Sequence, residues 1–400
     1  MKIVHAADLH IDSPLRGLAR YEGAPLDRLR GATREAFTRL VDLVLAEEAS
    51  LLLLAGDVFD TQWRDFSVGL FFTAQLARLR ESGARVALVR GNHDFEHSVM
   101  RTLPMPRHVH VFPSSAPSSL VLEDLGVVVH GQSFPSRHVD VDLGGAYPTR
   151  QEGLLNVGLL HTSVDGRPPH ARYAPTSLDV LRAKGYDYWA LGHVHEREVL
   201  SRDPWIVFPG NLQGRHAREL GPKGASVITV EDLVVRSVVH ETLDVVRWAR
   251  LEVDVSAARG LDDALDAVGD ALRDAVLEAD GRLLAARVEL GGRSPFSAEI
   301  SRDPAAVVAR VRQLALDHHG DEVFVEKVSV QPATSPLAVP LFEDPLAADD
   351  LDAILRELDD LAKKLPPELA DQLDWASDAG RADVIARAEA LLRARLLEGR

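Results

Sequence analysis

Over the first 240 residues, short apolar runs alternate with helical patterns. Lys2–Ala6 predicts a strand. Leu26–Glu48 predicts a long helix, with apolar Leu40, Val41, Val44 and Leu45 near its end. Leu51–Leu54 predicts a buried strand, Val68–Ser82 a helix and Arg85–Val89 another strand. Alternation at this spacing is that of an α/β domain whose sheet is largely buried. From Val109 onward strands dominate: Val127–Val129, Asn156–Leu160, Tyr188–Leu191, Ile206–Phe208, Ala225–Val230 and Val234–Val239, with Thr176–Lys184 helical among them. The expected fold class is α/β, a layered core of two sheets flanked by helices.

A second unit begins near Leu243. Strands at Arg250–Val255, Leu283–Leu290 and Val323–Val330 alternate with helices at Asp262–Leu277 and Ala305–Asp317, which makes a small α+β module. Gln331–Pro345 carries four prolines and reads as a linker. Beyond it, Leu351, Ile354, Leu355, Leu358 and Leu361 fall at helical spacing, as do Val384, Ala388, Leu391 and Leu392. The expected domains are 1–242, 243–332, a linker at 333–345 and a helical C-terminal tail at 346–400.

Composition narrows the function. The 400 residues carry 45 bases against 61 acids, a net charge of −16, and 46% are apolar. That apolar content is too high for a disordered chain. The absence of cysteine excludes disulfides, thiolate metal sites and a cysteine nucleophile. The first residues do not read as a signal peptide, and no run of about 18 apolar residues occurs. The expectation is a cytoplasmic protein with no membrane partner.

Thirteen of the sixteen histidines lie at or before His216. Five apolar runs end in metal-competent side chains: Asp8-Leu9-His10, Gly56-Asp57, Gly91-Asn92-His93-Asp94, His161 and Gly192-His193-Val194-His195. The carboxyl edge of an α/β sheet is where ligands bind. Asp8 and His10 are two apart, as are His193 and His195, so in an extended segment each pair faces one way. Carboxylate, carboxamide and imidazole without sulfur suit manganese, iron or zinc rather than copper(I). Asp8, His10, Asp57, Asn92, His161, His193 and His195 exceed what one such ion takes, whereas two ions sharing a carboxylate use them all. Singly, each motif reads as a turn or a buried histidine. Their joint order and placement separate them from chance.

Those motifs resemble the calcineurin-like metallophosphoesterases, over residues 1 to about 240. Within that superfamily the chain is similar to the SbcD-type DNA repair exonucleases, the nuclease partners of a coiled-coil ATPase. The segments His5–Pro14, Gly56-Asp57-Val58-Phe59-Asp60 and Pro209–His216 carry this likeness, with Gly221-Pro222-Lys223-Gly224 soon after. The resemblance implies a cap domain at 243–332 and two divalent cations, manganese first among them. Asp8, His10, Asp57 and His195 would hold one ion; Asp57, Asn92, His161 and His193 would hold the other, with Asp57 as the bridge. His93 would face the scissile phosphate and assist the leaving oxygen, and Asp94 would orient His93. Eukaryotic and archaeal relatives often have a histidine three residues after the bridging aspartate. Here Asp60 stands there, so no catalytic histidine carries over to that position. The implied reaction is hydroxide attack on DNA, as a 3′→5′ exonuclease and single-strand endonuclease working with an SMC-like ATPase.

Net acidity argues against a bulk nucleic-acid binder. The last sixty residues, however, hold 15 acids against 8 bases, and Asp8, Asp12, Asp57, Asp60 and Asp94 lie in or near the proposed site. Arginines 64, 90, 101, 107, 137, 215 and 218 are candidates for a basic rim. Arg215 and His216 either touch substrate phosphate or hold a loop. His130 could support a ligand from behind, His5 reads as a packed core histidine, and Trp63 with Arg64 contacts DNA or packs on the surface. The tail helices either pack on the chain's own body or dock the ATPase, and a homodimer stays open. The rival readings are a cyclic-nucleotide phosphodiesterase or phosphoprotein phosphatase of the same superfamily, and a non-catalytic scaffold.

Overall fold

The computed structural model describes residues 1–13, 25–60, 66–95, 104–164, 173–294 and 303–334. The chain opens with β1 (Lys2–Ala6), α1 (Leu26–Ala46), β2 (Leu51–Ala55), α2 (Phe66–Arg78), β3 (Arg85–Val89) and β4 (Val109–Val111). Next come β5 (Ser118–Leu122), β6 (Val127–Gly131), β7 (Leu155–His161), α3 (Leu178–Ala183), β8 (Tyr188–Gly192), β9 (Glu198–Arg202) and β10 (Trp205–Phe208). The hairpin of β11 (Gly224–Glu231) and β12 (Val234–Thr242) follows. Among the described residues two six-stranded sheets form, ordered β12-β11-β1-β2-β3-β4 and β5-β6-β7-β8-β10-β9. The first four strands pair in parallel, as do β6, β7, β8 and β10; β11, β12, β5 and β9 pair antiparallel. The fold is the expected two-sheet α/β sandwich flanked by helices.

Strand β2 shows why the layers form. Leu51-Leu52-Leu53-Leu54-Ala55 is buried on both faces, and successive side chains point opposite ways. Leu52 and Leu54 pack with Phe37 and Leu40 of α1 and Phe72 and Leu76 of α2. Leu51 and Leu53 join Val127, Val157 and Leu159 of the other sheet. On that sheet's far side, Leu160, Trp189, Leu191 and Phe208 pack with Leu181 of α3. Strands β5 and β9 are absent from the sequence expectation. Ser118-Ser119 and Ser201-Arg202 make them half-polar, and only pairing to β6 and β10 defines them as edges.

A third sheet, ordered β13-β14-β15, is built from β13 (Val246–Asp254), α4 (Leu261–Ala279), β14 (Leu283–Ser294), α5 (Pro304–His319) and β15 (Val323–Thr334). Strand β15 runs through Gln331 and Pro332, where the prolines had suggested linker. Its place at the end of the sheet order explains this, because an edge strand tolerates a missing N–H. The chain separates into two compact units that share these strands. One comprises Met1–Arg250, Asp274–Arg287 and His319–Glu326; the other holds Leu251–Arg273, Val288–His318 and the chain from Lys327. Within the first unit, Val246, Trp248, Leu283, Ala285 and Phe324 pack with Leu29 and Ala32 of α1. Fully buried Asp244 binds Arg247 at 2.6 Å and Arg282 at 3.1 Å, and its carbonyl accepts from Arg39 at 2.9 Å. The tail at 346–400, Trp63, Arg64 and Arg101 lie outside the described residues. Among the described residues no helix is long and apolar enough to cross a membrane.

His5 is buried in β1, where Nδ1 meets Tyr188 Oη at 3.0 Å and Nε2 meets the Leu191 carbonyl at 3.2 Å. Burial pushes its pKa down to about 3, opposed by that carbonyl. Below about pH 6.5 the unfolded chain takes up a proton that the folded ring refuses. Stability is therefore expected to fall on acidification from pH 6.5 towards 3, by at most about 1.4 kcal/mol per pH unit from this group. Urea unfolding of His5→Gln between pH 7 and 4 is expected to show a shallower dependence than wild type, whatever its absolute stability.

Candidate metal centre

The loops after β1 and β2 are locked together by backbone hydrogen bonds. Asp8 N–H donates to Gly56 O at 3.0 Å, His10 N–H to Asp57 O at 3.1 Å and Ile11 N–H to Val58 O at 3.1 Å. The second sheet joins at the same edge, where His161 Nδ1 donates to Ala55 O at 2.9 Å and His193 N–H donates to Asp8 Oδ2 at 3.0 Å. Two glycines are required by this close approach. A Cβ on Gly192 would run into the Ala55 carbonyl oxygen, and one on Gly91 into the Asp57 carboxylate. Asp8, His10, Asp57 and His193 have positive φ of 51°, 41°, 51° and 103°. Such backbone costs on the order of 1–3 kcal/mol per residue and collects at functional sites.

All seven residues proposed as ligands meet here. Ligand atoms of Asp8, His10 and His195 lie within 4.8 Å of one another, and so do those of Asp8, Asp57 and His161. Asp57 Oδ2 stands 3.5 Å from His161 Nε2 and 4.0 Å from His10 Nε2. Asn92 Oδ1 is 3.0 Å from His161 Nε2, and the His193 ring lies 5.3 Å from that of His161, centroid to centroid.

The donor set fits cations. His161 spends its Nδ1 proton on Ala55 O, and His195 spends its own on Glu219 Oε1 at 2.7 Å. Each neutral ring then turns an Nε2 lone pair inward. The His161 lone pair meets the oxygens of Asn92 and Asp57, and that of His195 faces His10 Nε2 at 3.4 Å and Asp8 Oδ1 at 3.9 Å. Acceptors converge with too few protons between them. Burial lowers the pKa of His161 to about 3 and lowers those of His10 and His195. Burial raises Asp57, and burial together with repulsion from Asp57 raises Asp8. Imidazoles kept neutral offer lone pairs and buried carboxylates gain from a nearby cation, and soft-sulfur ligands are absent.

The calcineurin-like phosphoesterase family matches residues 1–197, and a second family, described as the middle domain of metallophosphoesterase YhaO, matches residues 248–332. The uncharacterized metallophosphoesterase YhaO of Bacillus subtilis (strain 168) is 32% identical over 299 residues, covering 74% of this chain and 72% of that protein. The chain belongs to the calcineurin-like metallophosphoesterases. The DNA double-strand break repair protein Mre11 of Methanopyrus kandleri is 25% identical over 229 residues, 53% of this chain and 48% of that one. Mre11 of Sulfurisphaera tokodaii is 23% identical over 208 residues, 50% of this chain and 51% of its own. The chain thus spans about half the length of each Mre11 protein.

In this metallophosphoesterase, one expected role moves to another residue. Asp94 does not orient His93. Its two oxygens accept the N–H groups of Phe59 and Gly91, each at 3.0 Å, so it ties the two loops together. Burial, with Asp57 nearby, pushes its pKa up to about 7 against those N–H groups. The carboxylate on His93 is Asp60, 3.2 Å from Nδ1. Burial lowers the His93 pKa, but Asp60 and Asp57 outweigh it and the net shift is upward. Glu219, behind His195, escaped the sequence reading because it lies in an irregular loop with no motif of its own. Arg215 turns inward onto Glu219 at 3.0 Å, while His216 stays exposed. His130 supports no ligand. It bonds Ser119 and Asn156 and stacks on Tyr186.

Asp57 Oδ2 lies within 4.0 Å of one imidazole from each proposed ion's ligand set, His10 and His161. Asp57→Asn keeps an oxygen to accept the His93 N–H but removes the shared charge. Metal analysis after Mn²⁺ loading is expected to fall from about two ions per chain towards one or none. Full retention of both would remove Asp57 as the bridge.

Proposed function

We propose that the chain is a manganese-dependent nuclease that hydrolyses DNA phosphodiester bonds, with Asp8, His10, Asp57 and His195 around one ion and Asp57, Asn92, His161 and His193 around the other. The observation that carries this reading is the placement of His93. Its side chain is 30% exposed beside the ligand set, with Nε2 4.0 Å from Asp57 Oδ2 and Nδ1 on Asp60. The likeness to two Mre11 proteins supports DNA as the ester.

The two cations supply positive charge and Lewis acidity at the phosphate when bound. The protein's own part is proton delivery. Asp60 holds the His93 ring and favours its protonated form, so that Nε2 can donate to the departing 3′- or 5′-oxygen. An alkoxide leaving group needs that proton, whereas nitrophenolate scarcely does. Asp94 keeps the His93 loop against the Asp57 loop. The acidic tail at 346–400 is proposed to dock an SMC-like coiled-coil ATPase, which would add DNA contacts that a chain of net charge −16 lacks.

End-labelled duplex and single-stranded DNA, incubated with Mn²⁺ beside bis-p-nitrophenyl phosphate, test the reading. Cleavage of the small diester alone would favour a small-substrate phosphodiesterase; cleavage of neither would favour a scaffold. His93→Ala is expected to keep both ions, to lose about 10²–10⁴-fold in turnover on DNA, and to lose less on the nitrophenyl diester. Asp60→Asn should show a milder form of that pattern. Asp94→Asn should instead lower thermal stability without changing the ratio between substrates. Removal of residues 346–400 should leave cleavage of the small diester intact and abolish co-purification with the ATPase. An insoluble product would assign the tail to the chain's own core.

A further inference from the structure

The segment from Asn211 to Glu219 folds around one carboxylate. Glu219 Oε2 accepts from the Arg215 backbone N–H at 2.7 Å and from Asn211 Nδ2 at 2.9 Å. Glu219 Oε1 accepts from His195 Nδ1 at 2.7 Å and from Arg215 Nη2 at 3.0 Å. Arg215 Nη2 and His195 Nδ1 lie 3.2 Å apart because both donors share that oxygen. The other arm of the same guanidinium points elsewhere, with Nη1 3.8 Å from Asp60 Oδ2. Asp60 is the carboxylate on His93, and its backbone N–H is held in turn by Asp12.

We propose that Arg215 is a positioning residue that couples the two halves of the centre, holding Glu219 behind the ligand His195 with one edge and Asp60 behind the proton donor His93 with the other. This rests on the roles given above to His195 and His93. A guanidinium suits the task because it is flat, always charged and presents separate edges to separate carboxylates. Its side chain is largely buried, so neither carboxylate can substitute water for it at no cost. An ammonium at the end of a lysine is a compact point charge and cannot present two fixed edges to carboxylates on either side of it. The link sets metal affinity and leaving-group protonation together. An outer carboxylate on a ligand imidazole is typically worth about 10–100-fold in affinity or rate; here one cation meets such a carboxylate, Glu219, and also the carboxylate behind the proton donor, Asp60.

The test uses the full chain and two variants, Arg215→Met and Arg215→Lys. Mn²⁺ affinity is read by calorimetric titration. Turnover is read on a series of aryl phosphodiesters of rising leaving-group basicity. Arg215→Met is expected to weaken Mn²⁺ binding by about 10–100-fold and to make turnover fall more steeply along the series. Arg215→Lys should restore one of the two readouts and not both. Asp60→Asn should add little to the steepening already present in Arg215→Met, since the two act through one link. The proposal is overturned if Arg215→Met moves only one readout, or if it raises KM alone, which would make Arg215 a substrate contact. Should Arg215→Met fail to fold, Arg215→Lys decides. Should wild type cleave no diester, the functional reading fails separately. The coupling is then judged from ¹⁵N imidazole shifts, which must move at both His93 and His195 in the variant; movement at His195 alone overturns it.

Discussion

The parallel ladder between β1 and β2 does not stop where the strands do. Asp8, His10 and Ile11 each donate a backbone N–H to the carbonyls of Gly56, Asp57 and Val58 in turn, so two loops that bear ligand candidates are zipped to one register. The second sheet is referred to the same seam. His161 and Gly192 both press on the Ala55 carbonyl, and His193 hangs its N–H on Asp8. The spacing between carboxylates and imidazoles is therefore a property of backbone pairing and not of long side chains finding one another. Left-handed φ at four of these residues is the local cost of turning side chains inward from a strand end.

Electrostatics then divides the centre into two layers. The inner groups are driven towards neutrality by burial, the carboxylates upward and the imidazoles downward. The outer carboxylate Glu219 is driven the other way: its burial is outweighed by the hydrogen bond to His195 and the charge of Arg215, and its pKa falls. Buried carboxylates beside neutral imidazoles, backed by a carboxylate that stays ionised, form an arrangement that binds divalent cations.

Much of this was legible in the chain itself. Buried strands such as Leu51–Leu54 announced themselves as apolar runs, and the candidate ligands stood at their ends. The half-polar edges β5 and β9 were not, because their strand character comes from partners remote in sequence. The same reason hid Glu219, and hid the role, though not the presence, of Asp60. Neither lies in a spacing pattern with the imidazole it serves, and each is brought there by a loop. Asp94 misled for the opposite reason. Adjacency to His93 suggested contact, but neighbours in a turn diverge, and the side chain reached for backbone N–H groups instead.

The near ends of β13, β14 and β15 lie in the same compact unit as α1, with Trp248, Leu283 and Phe324 over Leu29 and Ala32. Arg39 of α1 reaches past residue 242 for the Asp244 carbonyl. A chain cut at the end of β12 would bare an apolar flank of its first helix and take the Asp244 carbonyl from Arg39. The third sheet cannot be grafted on or trimmed away like a passenger module. Its inner half, up to Arg250, from Asp274 to Arg287 and from His319 to Glu326, is part of the phosphoesterase body.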